Sequence, residues 1–194
     1  MESDPGHRMN ITWVIADDVL LDPDFDIQQL KNIGSTWGSW RTWRTFGTDN
    51  VSCHDIAKSR ELLQRSLHTR CNLYIPEMHF QPLDRPNGIR LYGGNFLHEV
   101  EKQEEIVAMH LASTQFDIVL LLGFDFSTLA KNTDRLASHR AFNYQNLCLQ
   151  TIIDNPTVQW VCVDHHNKLD KKFLDLDNLT LDSLDQVLKL TESR

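Results

Sequence analysis

Short runs of consecutive apolar residues alternate along this chain with longer stretches in which apolar positions recur every three or four residues. The runs at residues 11–16 (ITWVIA), 71–75 (CNLYI), 89–92 (IRLY), 116–122 (FDIVLLL) and 158–163 (VQWVCV) read as buried strands, the last of them as the final strand of the chain. Residues 40–46 (WRTWRTF) read as a further strand, closed by a turn over Gly47-Thr48-Asp49-Asn50. Helical spacing covers residues 24–33, ending before Gly34. A capping box from Ser52 to Asp55 introduces a stripe of Ile56, Leu62, Leu63 and Leu67. Residues 96–113 carry Phe96, Val100, Ile106, Val107 and Leu111 on one side, which leaves Glu99, Glu101, Glu104 and Glu105 as a solvated face. Residues 134–153 carry Ala137, Ala141, Tyr144, Cys148 and Ile152, with Asn155-Pro156 as the stop, and Thr180 caps a final helix through Leu181, Leu184, Val187 and Leu188.

Continuous apolar strands separated by helices are the pattern of a parallel sheet covered on both faces. The expected class is therefore α/β: a three-layer, mostly parallel sheet flanked by helices, Rossmann-like and doubly wound, with right-handed crossovers. The 194 residues suit a single α/β domain over residues 9–194, after a polar stretch at residues 1–8 that reads as a flexible leader or tag remnant.

Composition narrows the function classes. The formal charge of −8 repels a phosphate backbone, so general nucleic-acid coating is not expected. No apolar run approaches the ~20 residues of a membrane helix, so no membrane partner is expected. Cys53, Cys71, Cys148 and Cys162 form no CxxC pair, and the last three sit in apolar surroundings, which points to free thiols in a reducing, cytoplasmic setting. A GxSxG elbow is absent, so a serine hydrolase has no support.

Ligands in open α/β sheets bind beyond the carboxyl ends of the strands, and the residues there are acids and imidazoles. The first run leads into Asp17-Asp18, the second into Glu77 and His79, the central run into Gly123-Phe124-Asp125, and the last into Asp164-His165-His166. Carboxylates and imidazoles on one rim suit a divalent metal such as Mn, Mg or Zn, with Asp17, Asp18, Asp125 and Asp164 as ligands. A metal-bound hydroxide could then attack a phosphorus or carbonyl centre, with Asp164, His165 and His166 catalytic and His166 the general acid. An Asp after a strand also caps the helix that follows, and that second role stays open for Asp17, Asp18 and Asp125.

The run Val163-Asp164-His165-His166 resembles the third motif of the DHH phosphoesterase family. The resemblance implies Asp164 as a metal ligand and His165 or His166 in contact with metal or phosphate. The family's first motif, a His before an acidic cluster after the opening strand, has no counterpart here, so the family is not assigned.

Two further segments carry candidate binding chemistry. Gly93-Gly94-Asn95 lies between a strand and a helix, where free backbone amides suit an anion or where a tight turn needs glycine. Residues 37–46 hold three of the five tryptophans. Arg41 and Arg44 suit a phosphate or carboxylate there, and Trp40 and Trp43 a base or sugar. The same segment from Trp37 to Phe46 also suits an oligomer or partner interface, or a core edge with arginines stacked on indoles.

Three functions follow. One is a metal-assisted hydrolase or transferase acting on a nucleotide or other phosphorylated small molecule. The second is a metal-free glycosyltransferase-like enzyme using a nucleotide sugar. The third is a non-catalytic binding or assembly protein that uses residues 37–46.

Overall fold

A computed structural model describes residues 10–17, 26–77, 89–92, 103–126, 135–163 and 169–192. Its strands are β1 (Ile11–Ile15), β2 (Ser35–Ser39), β3 (Asn50–Ser52), β4 (Asn72–Pro76), β5 (Ile89–Tyr92), β6 (Ile118–Leu122), β7 (Gln159–Val163) and β8 (Leu179–Asp182). The helices are α1 (Gln28–Lys31), α2 (Trp40–Phe46), α3 (Ile56–Gln64), α4 (Gln103–Ser113), α5 (Arg135–Asp154), α6 (Lys171–Leu174) and α7 (Leu184–Glu192).

All the strands join one sheet in the order β5-β4-β3-β2-β1-β6-β7-β8, and every neighbouring pair is parallel. The expected doubly wound class is therefore the observed one. Growth runs outward from β1 in one direction through β5, then returns to the other side of β1 with β6. The reversal falls between β1 and β6, whose register pairs Ile15 with Leu122.

Strand alternation sorts the core into two faces. Val14, Trp37, Leu121 and Trp160 face α4 and α5, together with Met109, Tyr144 and Cys148. Trp13, Ile15, Leu120 and Val163 face the opposite way, toward Leu30 of α1 and Val187 of α7. Val51, Leu73, Ile75 and Ile89 extend that second layer beneath α3, where Leu62 closes it. Among the described residues, no helix is long and apolar enough to cross a membrane.

Several expected elements are corrected. Residues 40–46 form helix α2, not a strand, because Ser39 ends β2 and caps the helix: its Oγ accepts from the amides of Arg41 at 2.9 Å and Thr42 at 3.3 Å. The strand lies one step earlier, in the sequence STWGS, where only Trp37 is large and apolar. Thr36 and Ser39 are buried and satisfied internally; Thr36 donates through Oγ1 to Asp49 at 2.9 Å. Asn50, read as the last residue of a turn, opens β3, which runs on through Val51 to Ser52. Asp55, not Ser52, caps α3, accepting from the Lys58 amide at 2.7 Å, while Ser52 sits in β3. The α1 helix is only four residues. Val163 does not end the sheet, since Thr180 lies within the eighth strand and Ser183 receives the Gln186 amide at the start of α7.

Two glycines are required by geometry. A Cβ on Gly34 would stand 2.1 Å from the Ile11 carbonyl oxygen, at the entry to β2. Gly47 closes α2 at φ 69° with nothing within 4 Å of a Cβ. Gly34→Ala is therefore expected to cost about 2 kcal/mol or more through a backbone clash, and Gly47→Ala about 1 kcal/mol through strain alone. Urea unfolding of the two variants checks the order; an equal or reversed pair of midpoints would contradict it.

Candidate functional site

The reversal point places the ends of β1 and β6 side by side, and the pairing continues past the strands as the Ala16 amide donates to the Leu122 carbonyl at 2.9 Å. Asp17 and the segment Gly123-Phe124-Asp125 therefore leave the sheet from adjacent positions on its carboxyl edge, where open α/β sheets form their ligand crevice.

Asp17 is held from three sides. Its Oδ1 accepts from the Thr42 hydroxyl at 2.8 Å and from the Ser39 hydroxyl, and its amide donates to Glu105 Oε1 at 2.7 Å. Ser39 thus does two jobs at one atom, capping α2 and donating to Asp17. Glu105 is fully buried, and its other oxygen accepts from the Tyr144 hydroxyl at 2.5 Å. One carboxylate on α4 thereby joins the end of β1 to α5.

Glu104, the residue before it, faces the same edge. Its backbone carbonyl accepts from the Ser52 hydroxyl at 2.6 Å. Burial pushes its carboxyl pKa up; its own amide and that of His54 pull the other way, the Asp17 carboxylate adds to the rise, and Arg41 opposes it. His54 continues the edge at the end of β3, its Nδ1 3.2 Å from the Tyr92 hydroxyl. Burial raises the Tyr92 phenol, with Cys53 and Glu104 adding to it.

The residues singled out from the sequence divide into three groups. Asp17 and Asp125 lie on the predicted edge, Asp125 exposed and its backbone carbonyl accepting from Gln145 Nε2 at 3.2 Å. Glu77 follows β4, three strands away from β1 and so about 14 Å along the edge. Arg41, Arg44, Trp40 and Trp43 fall on α2, where helical spacing overturns the expected strand faces. Arg41 is exposed near the Asp17–Glu104 edge, its guanidinium 5.7 Å from the Trp40 ring centroid. Arg44, Trp40 and Trp43 instead line a cleft toward α3. Trp37 is 1% exposed and belongs to the core, which removes it as an interface anchor. Asp18, His79, Gly93, Gly94, Asn95, Asp164, His165 and His166 lie outside the described residues.

Among the described residues, no three His, Cys, Asp or Glu side chains gather as a metal site. A divalent ion at Asp17 and Asp125 would need further ligands from Asp18 or Asp164.

Glu104, Glu105, Ser39, Thr42, His54 and Tyr92 were missed or misread from the sequence. The solvated-face reading of Glu104 and Glu105 is overturned: Glu105 is fully buried, and Glu104 is half-buried. A signal for this did exist, because Ile106-Val107-Ala108-Met109 follows directly and is buried on every side, as in a helix sandwiched within a core rather than lying on it.

The chain matches no known protein family, no curated protein and no solved structure. The four-residue likeness to the DHH phosphoesterases therefore has no wider support.

None of the four cysteines is joined in a disulfide. Burial pushes Cys53 up to about 12 and Cys162 up to about 12, the latter with the Asp125 carboxylate adding to the rise. Both are protonated in the folded protein at pH 8, so iodoacetamide is expected to label them only as fast as the chain opens. On unfolding these thiols return to the ordinary thiol value of 9.0, so the unfolded state loses its protons first. Their contribution to stability is thus present below about pH 9 and is lost as pH rises toward about 12. Labelling as fast as that of a free thiol in the native state would contradict this.

Proposed function

We propose that this protein is a small-molecule hydrolase or transferase working at the reversal point between β1 and β6. The observation that carries the reading is the pairing of Asp17 with Glu104. One carboxylate is fixed as an acceptor by two hydroxyls, and a neighbouring one is raised by burial with Asp17 adding to the rise. Carboxyl groups set apart by their surroundings are how acid and base roles are divided within one site.

The edge around them favours bond cleavage at a neutral centre. Asp17, Glu105 and Asp125 outnumber Arg41, and such a field opposes a phosphate dianion as the reacting group. A glycosidic bond of a nucleoside class, whose leaving base is neutral once protonated, suits the edge better. Protonated Glu104 gives its proton to the leaving oxygen or nitrogen as the bond to the anomeric carbon breaks. Asp17 takes a proton from the attacking water or acceptor hydroxyl, and solvent returns that proton to Glu104. His54 and Tyr92 extend the polar edge for substrate hydroxyls. The metal-assisted alternative, with Mn, Mg or Zn, rests on Asp18 and Asp164. His165 and His166 remain candidate acid–base groups for either version. Four cysteines outside any disulfide, three of them buried, support a reducing cytoplasmic setting.

The test is hydrolysis of a panel of nucleosides, nucleotides and nucleotide sugars, followed by a pH profile on the best substrate. The general acid must be protonated, so kcat is expected to fall as pH rises through the Glu104 pKa, which lies above the ordinary carboxylic value. Glu104→Gln is expected to lower kcat by about 100-fold or more and remove that alkaline limb. Full activity in Glu104→Gln, or turnover of phosphate esters alone, would overturn the reading.

A further inference from the structure

Among the described residues of this acidic chain, a cleft gathers positive charge, and its lining residues are distinct from those of the carboxylate edge. Between α2, α3 and the 3-10 turn Leu67–Thr69 is a cleft of about 390 Å³. Its rim is formed by Arg44 in the last turn of α2, Lys58 on α3, Arg65 at the C-cap of α3 and Arg70 after the turn. Glu61 is the one acid among its lining residues. Four cations against one carboxylate leave a surplus of three positive charges in a protein whose formal charge is −8.

The floor differs from the rim. Trp40 and Trp43, one turn apart on α2, meet Leu62 and Leu67, and both indoles pack against the core beneath. The Lys58 ammonium stands 3.9 Å from the Trp40 ring centroid and 2.7 Å from Glu61, whose other oxygen meets Arg65 at 2.9 Å. Trp40 is therefore already covered by a cation, while Trp43, half-buried, is the aromatic wall left for a ligand.

A surface ion-pair network would alternate signs. This one sets four cations against the single carboxylate of Glu61 above an aromatic floor, at the lower end of the volume range of small-molecule sites. A multiply charged anion joined to a flat ring satisfies both parts. We propose that this cleft binds a nucleoside phosphate, its phosphates meeting Arg44, Arg65 and Arg70 and its base lying on Trp43. Single carboxylates spaced along an acidic peptide would match an extended groove better than one compact cleft with an indole in its floor. The site does not rest on the catalytic reading, because none of its lining residues acts at the Asp17–Glu104 edge.

The experiment is titration of the full chain with ADP, pyrophosphate, adenosine and a polyglutamate peptide, followed by tryptophan emission and calorimetry. ADP is expected to quench emission and bind about tenfold or more tightly than either adenosine or pyrophosphate, with affinity falling as salt rises. Arg65 is 74% exposed, so the double variant Arg65→Ala/Arg70→Ala is expected to fold normally and lose about tenfold or more in ADP affinity. Trp43→Leu is expected to abolish the preference for ADP over pyrophosphate. Glu61→Gln is expected to tighten ADP binding, a gain that damage to the fold cannot produce. The proposal is overturned if ADP does not bind, if pyrophosphate binds as tightly as ADP, if the arginine variant keeps its affinity, or if polyglutamate binds more tightly.

Discussion

Glu105 is fully buried, yet its carboxylate has a defined place: one oxygen accepts the Asp17 amide and the other the Tyr144 hydroxyl. Burying a carboxylate is costly unless its oxygens are met by donors. Here the donors come from the end of β1 and from α5, while the carboxylate itself comes from α4. The three elements that surround the reversal in strand order are thus tied at one side chain. The amide of Asp17 is fixed by this bond, and the hydroxyls of Ser39 and Thr42 fix its carboxylate.

That constraint explains why the carboxyl edge carries chemistry while the rest of the sheet is a packed core. The reversal between β1 and β6 opens a place where helices from opposite faces diverge. α2 begins there because Ser39 caps it, and α4 enters there with Glu104 and Glu105. The positive cleft on the outer side of α2 and α3 has a different origin. Its cations sit above partly buried indoles, on the side of α2 that meets α3.

The fold was largely legible in the sequence, because ITWVIA, FDIVLLL and VQWVCV are continuous apolar runs and only a doubly covered sheet buries such runs. β2 was not legible, since Ser35, Thr36, Gly38 and Ser39 show no apolar alternation, and the last three are buried through internal hydrogen bonds and close packing. Its neighbour WRTWRTF was misread as a strand because its aromatic content masked the capping serine before it. Asp17 and Asp125 were legible from their position after apolar runs. Glu104 and Glu105 were not, because an acidic pair at the start of a helix ordinarily faces water. Only tertiary packing turns that pair inward.

The tie between β1, α4 and α5 requires Glu105 and Tyr144 to act as one unit. A double-mutant cycle with Glu105→Gln and Tyr144→Phe, read by urea unfolding, measures this directly. The predicted result is a coupling energy of about 1–3 kcal/mol between the two sites. Single-variant losses that add to the double-variant loss within about 0.5 kcal/mol would contradict it and leave the end of β1 unsupported.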